Sequence, residues 1–397
     1  MSRSLTIGTT IFFEQKIKQA IALLLLLMLS VGALAEVTPE DSGDKAVAFK
    51  FTHKSDLMSN TAGGVSRGMV WLANSEVKAN LDLGKLADWN DTTAYLQYHI
   101  QHGAKSINKY AGSFAGVDNI ESKTNAGQFF QAWLQKNSSD NSLSLLAGLY
   151  AIDSEFYSSE TAGLFFMPPV GMSTEMSQTG RNGPPIFPVG ALGLRLKYTH
   201  ADWYLQGALT DGAPGDLNNV QGTQIRLGDG TLAIMEFGSS SSEKSPGKTA
   251  FGVWRYTTAA HDLTEKDISG NLLSRADRGC YFLAERSLLP ERLQGFFRLG
   301  IANKHAYQVE WTGSLGLNYQ LDNHDTAGIA IASSHASDKY RQLNAAKSLE
   351  SIVEITYRMQ LKPWLAVQPV VQRVFNPNMD ARLANALLAG VRLEASF

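Results

Sequence analysis

The chain has 397 residues, with 35 Lys and Arg against 37 Asp and Glu, a formal net charge of −2 at pH 7, and a single cysteine, Cys280. That charge gives no electrostatic case for a nucleic-acid partner, and one cysteine excludes a disulfide within the chain. The length is compatible with two domains, but no Pro- or Ser-rich linker long enough to divide the chain is present, so one continuous unit is the expectation.

The first segment reads as a secretion signal. Arg3, Lys16 and Lys18 precede an apolar run, Ala20–Ala22 followed by Leu23 to Leu27, and Ala33 and Ala35 then form an A-x-A cleavage site. The run is shorter than the roughly 20 residues that a helical span needs. Residues 1–35 are therefore expected to be removed, leaving a domain over 36–397 with a net charge of about −4, because three basic residues and one acidic residue leave with the signal. A chain exported without disulfides must gain stability from another source, and a closed, fully hydrogen-bonded barrel supplies one. The mean hydropathy of −0.14 fits such a barrel, whose strands are apolar only at every second residue.

Along the rest of the chain, alternation with a period of two predicts about sixteen strands: 47–53, 68–82, 91–102, 127–136, 142–150, 189–199, 201–210, 231–239, 249–257, 279–288, 295–303, 310–321, 326–334, 350–360, 364–374 and 387–397. In 191–198, Leu192, Leu194, Leu196 and Tyr198 share one face, while Ala191, Gly193, Arg195 and Lys197 share the other. Val353, Ile355, Tyr357 and Met359 oppose Glu354, Thr356, Arg358 and Gln360 in the same way. At the end, Ala389, Val391, Leu393, Ala395 and Phe397 oppose Gly390, Arg392, Glu394 and Ser396. Many segments are about ten residues long, the length that crosses a membrane tilted. Long and short connections alternate nearly throughout, as in outer-membrane barrels with short periplasmic turns and longer external loops. Trp71, Trp89, Trp133, Trp203, Trp311 and Trp364 fall near strand ends, where an interfacial aromatic belt is expected. The predicted fold is an all-β, transmembrane antiparallel barrel of about sixteen strands, placed in the outer membrane of a Gram-negative bacterium.

Enzyme signatures are scarce. There is no HExxH and no G-x-S-x-G elbow. His99 and His102 are three apart, which a strand places on opposite faces. No cofactor or metal is expected. An outer-membrane lipase would need a Ser–His pair on the outer face of adjacent strands, and no convincing pair is legible. The polar faces carry Arg195, Arg298, Arg358, Arg392, Glu354 and Glu394. Mixed Arg and Glu offer many hydrogen-bond donors and acceptors with little net field, which suits neutral, hydroxyl-rich solutes rather than one sign of ion; the bland alternative is that these residues brace the wall. The connection 151–188, with Glu155, Phe156, Tyr157, Phe165, Phe166 and Arg181, is the expected constriction, since loops this long are usually functional. Its aromatic faces are expected to stack on sugar C–H surfaces while Glu and Arg bond the hydroxyls.

From 127 to 397 the chain resembles the carbohydrate-selective porins of the OprB type. The resemblance is carried by LLAGLYAIDSEF at 145–156, FPVGALGLR at 187–195, DGAPGD at 211–216, GVWRYT at 252–257, QPVVQRVFNP at 368–377 and GVRLEASF at 390–397. It implies a sixteen-stranded porin that admits small carbohydrates, a terminal Phe397 read by the barrel-assembly machinery, and a monomer or trimer among outer-membrane lipids. With Arg255, from the 252–257 motif, and with Glu155 and Phe156, the polar-face residues complete the expected pore lining. Residues 237–239 and 376–379 depart from the family pattern, and they keep a less selective pore for other small solutes or ions as the alternative.

Overall fold

A computed structural model describes residues 45–104, 106–122, 127–215, 223, 225, 228, 230–240, 247–321 and 324–397. The expected signal segment and its cleavage site lie outside these residues. Lys45–Ser396 forms one compact unit. Its strands are β1 (Val47–Gly64), β2 (Gly68–Asp82), β3 (Thr92–Gly103), β4 (Gly127–Asn137), β5 (Leu143–Tyr150), β6 (Ala191–His200), β7 (Trp203–Asp211) and β8 (Thr231–Ser240). They continue with β9 (Gly247–Lys266), β10 (Leu272–Leu289), β11 (Leu293–Ala302), β12 (Val309–Gln320), β13 (Thr326–Ala336), β14 (Leu349–Lys362), β15 (Leu365–Phe375) and β16 (Ala384–Ser396). Every strand pairs antiparallel with its chain neighbours, and β1 pairs with β16, so the sheet closes. Closure leaves no strand edge unpaired, the condition a sheet must meet in hydrocarbon.

Each of the sixteen expected segments overlaps one observed strand. Two stretches expected to be connections are strand instead. β1 runs past 53 to Gly64, and the stretch between the expected strands 249–257 and 279–288 is mostly the tall hairpin of β9 and β10, turning at 267–271. Their sequences, such as SDLMSNT at 55–61, alternate too weakly to be separated from loop by pattern.

The outer face is apolar. Leu194, Leu196, Leu209, Phe237, Phe251, Phe297, Leu315, Ile329, Ile355, Val371 and Leu393 are all exposed on it. Trp71, Trp89 and Trp364 are exposed as expected of a belt, and Trp311 stacks on His335 at 5.1 Å on the same outward face. Trp133 is the exception: it points inward and stacks on Tyr95 at 4.9 Å.

The inner face is not uniformly polar. Part of it is apolar, with Met58, Leu72, Phe296, Ile352, Val374 and Leu388 packed against Ile107, Val117, Phe165, Phe166 and Val170 from two loops that fold into the barrel. A second cluster packs Ile152, Phe156, Tyr157 and Met176 against Leu232, Ile234, Trp254, Tyr281 and Leu283. The barrel thus has an internal hydrophobic core, which the inserted loops complete. Glycines on the inner wall make room for them. A Cβ at Gly300 would sit 1.7 Å from Glu175 Oε1, and one at Gly328 would sit 2.5 Å from Leu164 Cδ2.

Candidate channel constriction

Two connections narrow the barrel from within: the described part of the one between β3 and β4, 106–122, and 151–190, between β5 and β6. Charged wall residues hold both in place through backbone groups. Glu354, on β14, accepts from Phe166 N at 2.8 Å and Met167 N at 2.9 Å. Arg298, on β11, donates to Tyr157 O at 2.7 Å and Gly171 O at 2.5 Å, and its guanidinium lies 4.2 Å from the Tyr157 ring centre. Glu236, on β8, accepts from Tyr157 N at 2.8 Å. Glu350, also on β14, accepts from Ser113 Oγ, Phe114 N and Ala115 N at 2.7, 2.8 and 3.0 Å. Arg392 makes a two-point bond to Asp56 (2.8 and 2.5 Å), donates to Asn119 Oδ1 at 2.8 Å and lies 4.0 Å from the Phe166 ring centre. Asn119 in turn donates to Phe165 O at 3.0 Å, which joins the two loops.

This geometry satisfies backbone groups of irregular chain that would otherwise be buried without partners. It also explains how most of these charges are tolerated: Glu236, Glu350, Glu354 and Arg392 each make several charge-assisted hydrogen bonds, whereas Arg298 bonds through Nη2 alone and leaves Nε and Nη1 unpartnered among the described residues. Inside the inserted loop, burial pushes the Glu175 carboxyl up to about 7 and that of Asp153 up to about 6.

The expected pore residues therefore separate into three groups. Arg298, Glu354 and Arg392 face inward, but they are buried against the loops they hold. Phe156 is fully buried in the loop core, as are Tyr157, Phe165 and Phe166, so none of these rings offers a face to a solute. The reason is the apolar inner wall, which takes up the loop's aromatic rings. Arg195 is buried too, donating to Glu155 Oε2 at 2.8 Å, Ser144 Oγ at 2.7 Å and Gln135 Oε1 at 2.8 Å. Glu155, whose side chain is 25 % exposed, keeps one edge towards open space.

Arg255 is not in the lumen. It shares the outward face with Phe251 and Val253, while Trp254 and Tyr256 point inward. Arg358 and Glu394 do face the lumen partly exposed, 3.5 Å apart. Lys54, which pattern reading missed, lies 4.0 Å from Glu394. Glu76 and Lys78, on β2, form a further inward pair at 3.0 Å. All three could have been found by extending the alternation of β1 and β2, since 52, 54 and 56 share a face, as do 74, 76 and 78.

From Glu76 a line of amides crosses the inner wall. Gln97 donates to Glu76 Oε2 at 3.2 Å, Gln131 to Gln97 Oε1 at 3.0 Å, and Trp133 Nε1 to Gln131 Oε1 at 3.3 Å. The Tyr95 hydroxyl donates to Gln97 at 3.1 Å. The polar lining thus places an aromatic pair beside near-balanced charges and neutral amides.

The family model for the carbohydrate-selective porin, OprB family, matches residues 67–397. The chain belongs to that family. Porin B of Pseudomonas aeruginosa is 22% identical over 410 residues, covering 89% of this chain and 88% of that protein. Putative porin QuiX of Acinetobacter baylyi is 22% identical over 407 residues, covering 88% and 89% respectively. The high-pH structure of Pseudomonas putida OprB superposes with a TM-score of 0.79 at 20% identity, over 89% of this chain and 95% of that one. The low-pH structure of the same protein gives a TM-score of 0.56 at 16% identity, over 89% and 93%. Family and fold together make this OprB-family chain an outer-membrane channel that favours sugars, rather than an enzyme.

Two groupings bring together residue types of other chemistries, and each lacks a part that the chemistry needs. Asp262, Glu265 and His305 bring ligand atoms within 4.8 Å of one another, but Asp262 already accepts from Arg275 at 2.6 Å and Lys339 at 2.7 Å. On the outer face, Ser75 Oγ lies 2.8 Å from His53 Nδ1 and 3.3 Å from His102 Nε2. This is the Ser–His pair that could not be read from the sequence. Ser75 is at the centre of β2, and among the described residues both imidazoles bond only to it, with no carboxylate to orient either ring.

Proposed function

We propose that the solutes are small neutral sugars and that the polar lining at Tyr95, Trp133, Glu76, Lys78, Lys54, Glu394, Arg358 and Glu155 is the surface they touch on the way through. The observation that carries this is the stacked Tyr95–Trp133 pair on the inner wall, next to the Gln97–Glu76 hydrogen-bond line. An aromatic face suits the C–H side of a pyranose, and the amides and carboxylates beside it accept and donate to hydroxyls. Three cations and three carboxylates in the lining nearly cancel, which disfavours neither sign of ion strongly and leaves hydrogen bonding to discriminate.

The remaining residues act from behind the lining. Arg195 orients Glu155, and Arg298, Glu354 and Arg392 hold the loops that set the aperture. Residues 1–35 serve as the export signal, 36–397 form the barrel domain, and Phe397 is presented to the assembly machinery.

Purified protein in a planar bilayer tests the proposal. Added glucose should reduce the ion current, and liposome swelling should be faster with a monosaccharide than with an amino acid of similar size. A current unaltered at saturating glucose and maltose, with swelling rates ordered by size alone, favours a general small-solute pore instead.

A further inference from the structure

The outward position of Arg255 points to a second site on the outside of the barrel. Arg255 on β9 and Arg278 on β10 are direct register partners. Both are exposed, and both point outward with Phe251, Val253 and Phe282. Side chains opposite one another on adjacent strands have Cβ atoms about 4.5–5.5 Å apart, and like charges in that position repel. Several other arginines are matched to carboxylates: Arg195 to Glu155, Arg275 to Asp262, Arg392 to Asp56. Neither Arg255 nor Arg278 has an ion-pair or hydrogen-bond partner among the described residues.

Their depth is also informative. On β10 the outward positions read Arg278, Cys280, Phe282, Ala284 and Arg286, an apolar stretch with an arginine at each end. Eight residues at about 3.3 Å each span roughly 26 Å along the strand, and a tilt of about 40° reduces this to roughly 20 Å across the membrane. That is close to the apolar band of an outer-membrane barrel, about 25 Å. Arg286, at the short-turn end, donates to Glu285 O and Thr249 Oγ1. Arg278 and Arg255 cap the band at the long-loop end, the external side. Just beyond them the ladder breaks register, between Ala276 and Arg278. Bulges of this kind re-aim side chains at barrel rims.

We propose that Arg255 and Arg278 form a clamp for a phosphate group on a lipid headgroup of the outer leaflet. Two guanidiniums side by side offer a tetrahedral dianion a bidentate grip from each strand, and the phosphate removes the repulsion that the pairing creates. The hydrophobic band beneath holds the acyl chains of the same lipid, so the clamp selects lipid-borne phosphate over phosphate free in solution.

The test uses the full-length mature protein in phosphatidylcholine nanodiscs doped with diphosphoryl or monophosphoryl lipid A, with retained lipid read by native mass spectrometry. The comparison variant is the double substitution Arg255→Gln/Arg278→Gln, with Arg286→Gln as the control at the other end of the band. Since neither exposed arginine bonds to the protein, the double variant should fold, which heat-modifiable gel mobility checks. The wild type should retain the diphosphorylated lipid roughly tenfold more than the double variant, the loss expected for about one charge-assisted hydrogen bond, and Arg286→Gln should behave as the wild type. Equal retention by wild type and double variant overturns the clamp. An equal loss of retained phosphatidylcholine from undoped nanodiscs overturns the preference for a phosphate dianion. Displacement of the lipid by inorganic phosphate at matched concentration overturns the preference for lipid-borne phosphate.

Discussion

Replacing Glu354 with alanine should release the inserted loop and widen the channel. The Glu354 carboxylate is fully buried, with one oxygen accepting from Phe166 N and the other from Met167 N and Gln372 Nε2. Alanine leaves the two backbone N–H groups inside the barrel without an acceptor. A buried donor left unsatisfied costs about 1–3 kcal/mol, so the docked loop loses about 2–6 kcal/mol, roughly 30-fold to 10⁴-fold in its docking equilibrium. Opposing this are the burial of Phe165 and Phe166, about 1.5–3 kcal/mol each, and the bonds from Gln368 to Leu164 O and from Asn119 to Phe165 O. The terms are comparable, so segment 164–167 should populate an undocked state without loss of the barrel. Glutamine at 354 keeps one acceptor oxygen and should fall between alanine and wild type. Single-channel recording should show higher and noisier conductance in the order Ala, Gln, wild type, and liposome swelling should show weaker discrimination between mono- and disaccharides in the same order. A Glu354→Ala protein that folds, conducts and discriminates like the wild type would refute the assignment of 151–190 as the constriction.

Trp133→Ala removes the larger ring of the lumen stack. A stacking contribution of about 0.5–1.5 kcal/mol predicts that the apparent affinity for current block by glucose falls by roughly two- to tenfold, while ion conductance is retained or slightly raised. Glu175 gives a pH signature. Its carboxyl is raised to about 7 from an ordinary 4.5, so between those values the docked loop holds a proton that the undocked loop releases, and docking weakens as pH rises. Open-channel noise should be lower at about pH 5 than at about pH 8, and Glu175→Gln should flatten that difference; a variant as pH-sensitive as the wild type assigns the effect to another group.

The sixteen strands, their order and the outward side of most of them could be read from the chain, because alternation of apolar and polar residues is a local property that lipid on one side enforces. Leu194 and Leu196 against Arg195, or Val391 and Leu393 against Arg392, need no tertiary information. Pattern failed where the solvent assumption behind it failed. Wall positions such as Val374, Ile352 and Leu388 face inward yet are apolar, because loops from elsewhere in the chain cover them.

For the same reason the aromatic rings of 151–190 are buried, while the ring pair that faces the lumen, Tyr95 and Trp133, comes from two strands whose pairing brings it together. Arg255 shows the converse error: a charged residue in an alternating strand reads as internal, whereas parity with Phe251 and Val253 places it outside. The barrel follows from near-neighbour patterning along each strand. Which charges line the passage, which hold its loops and which face the membrane depends on contacts between residues more than a hundred positions apart, such as Arg298 with Tyr157 and Glu354 with Phe166, and only the folded chain decides them.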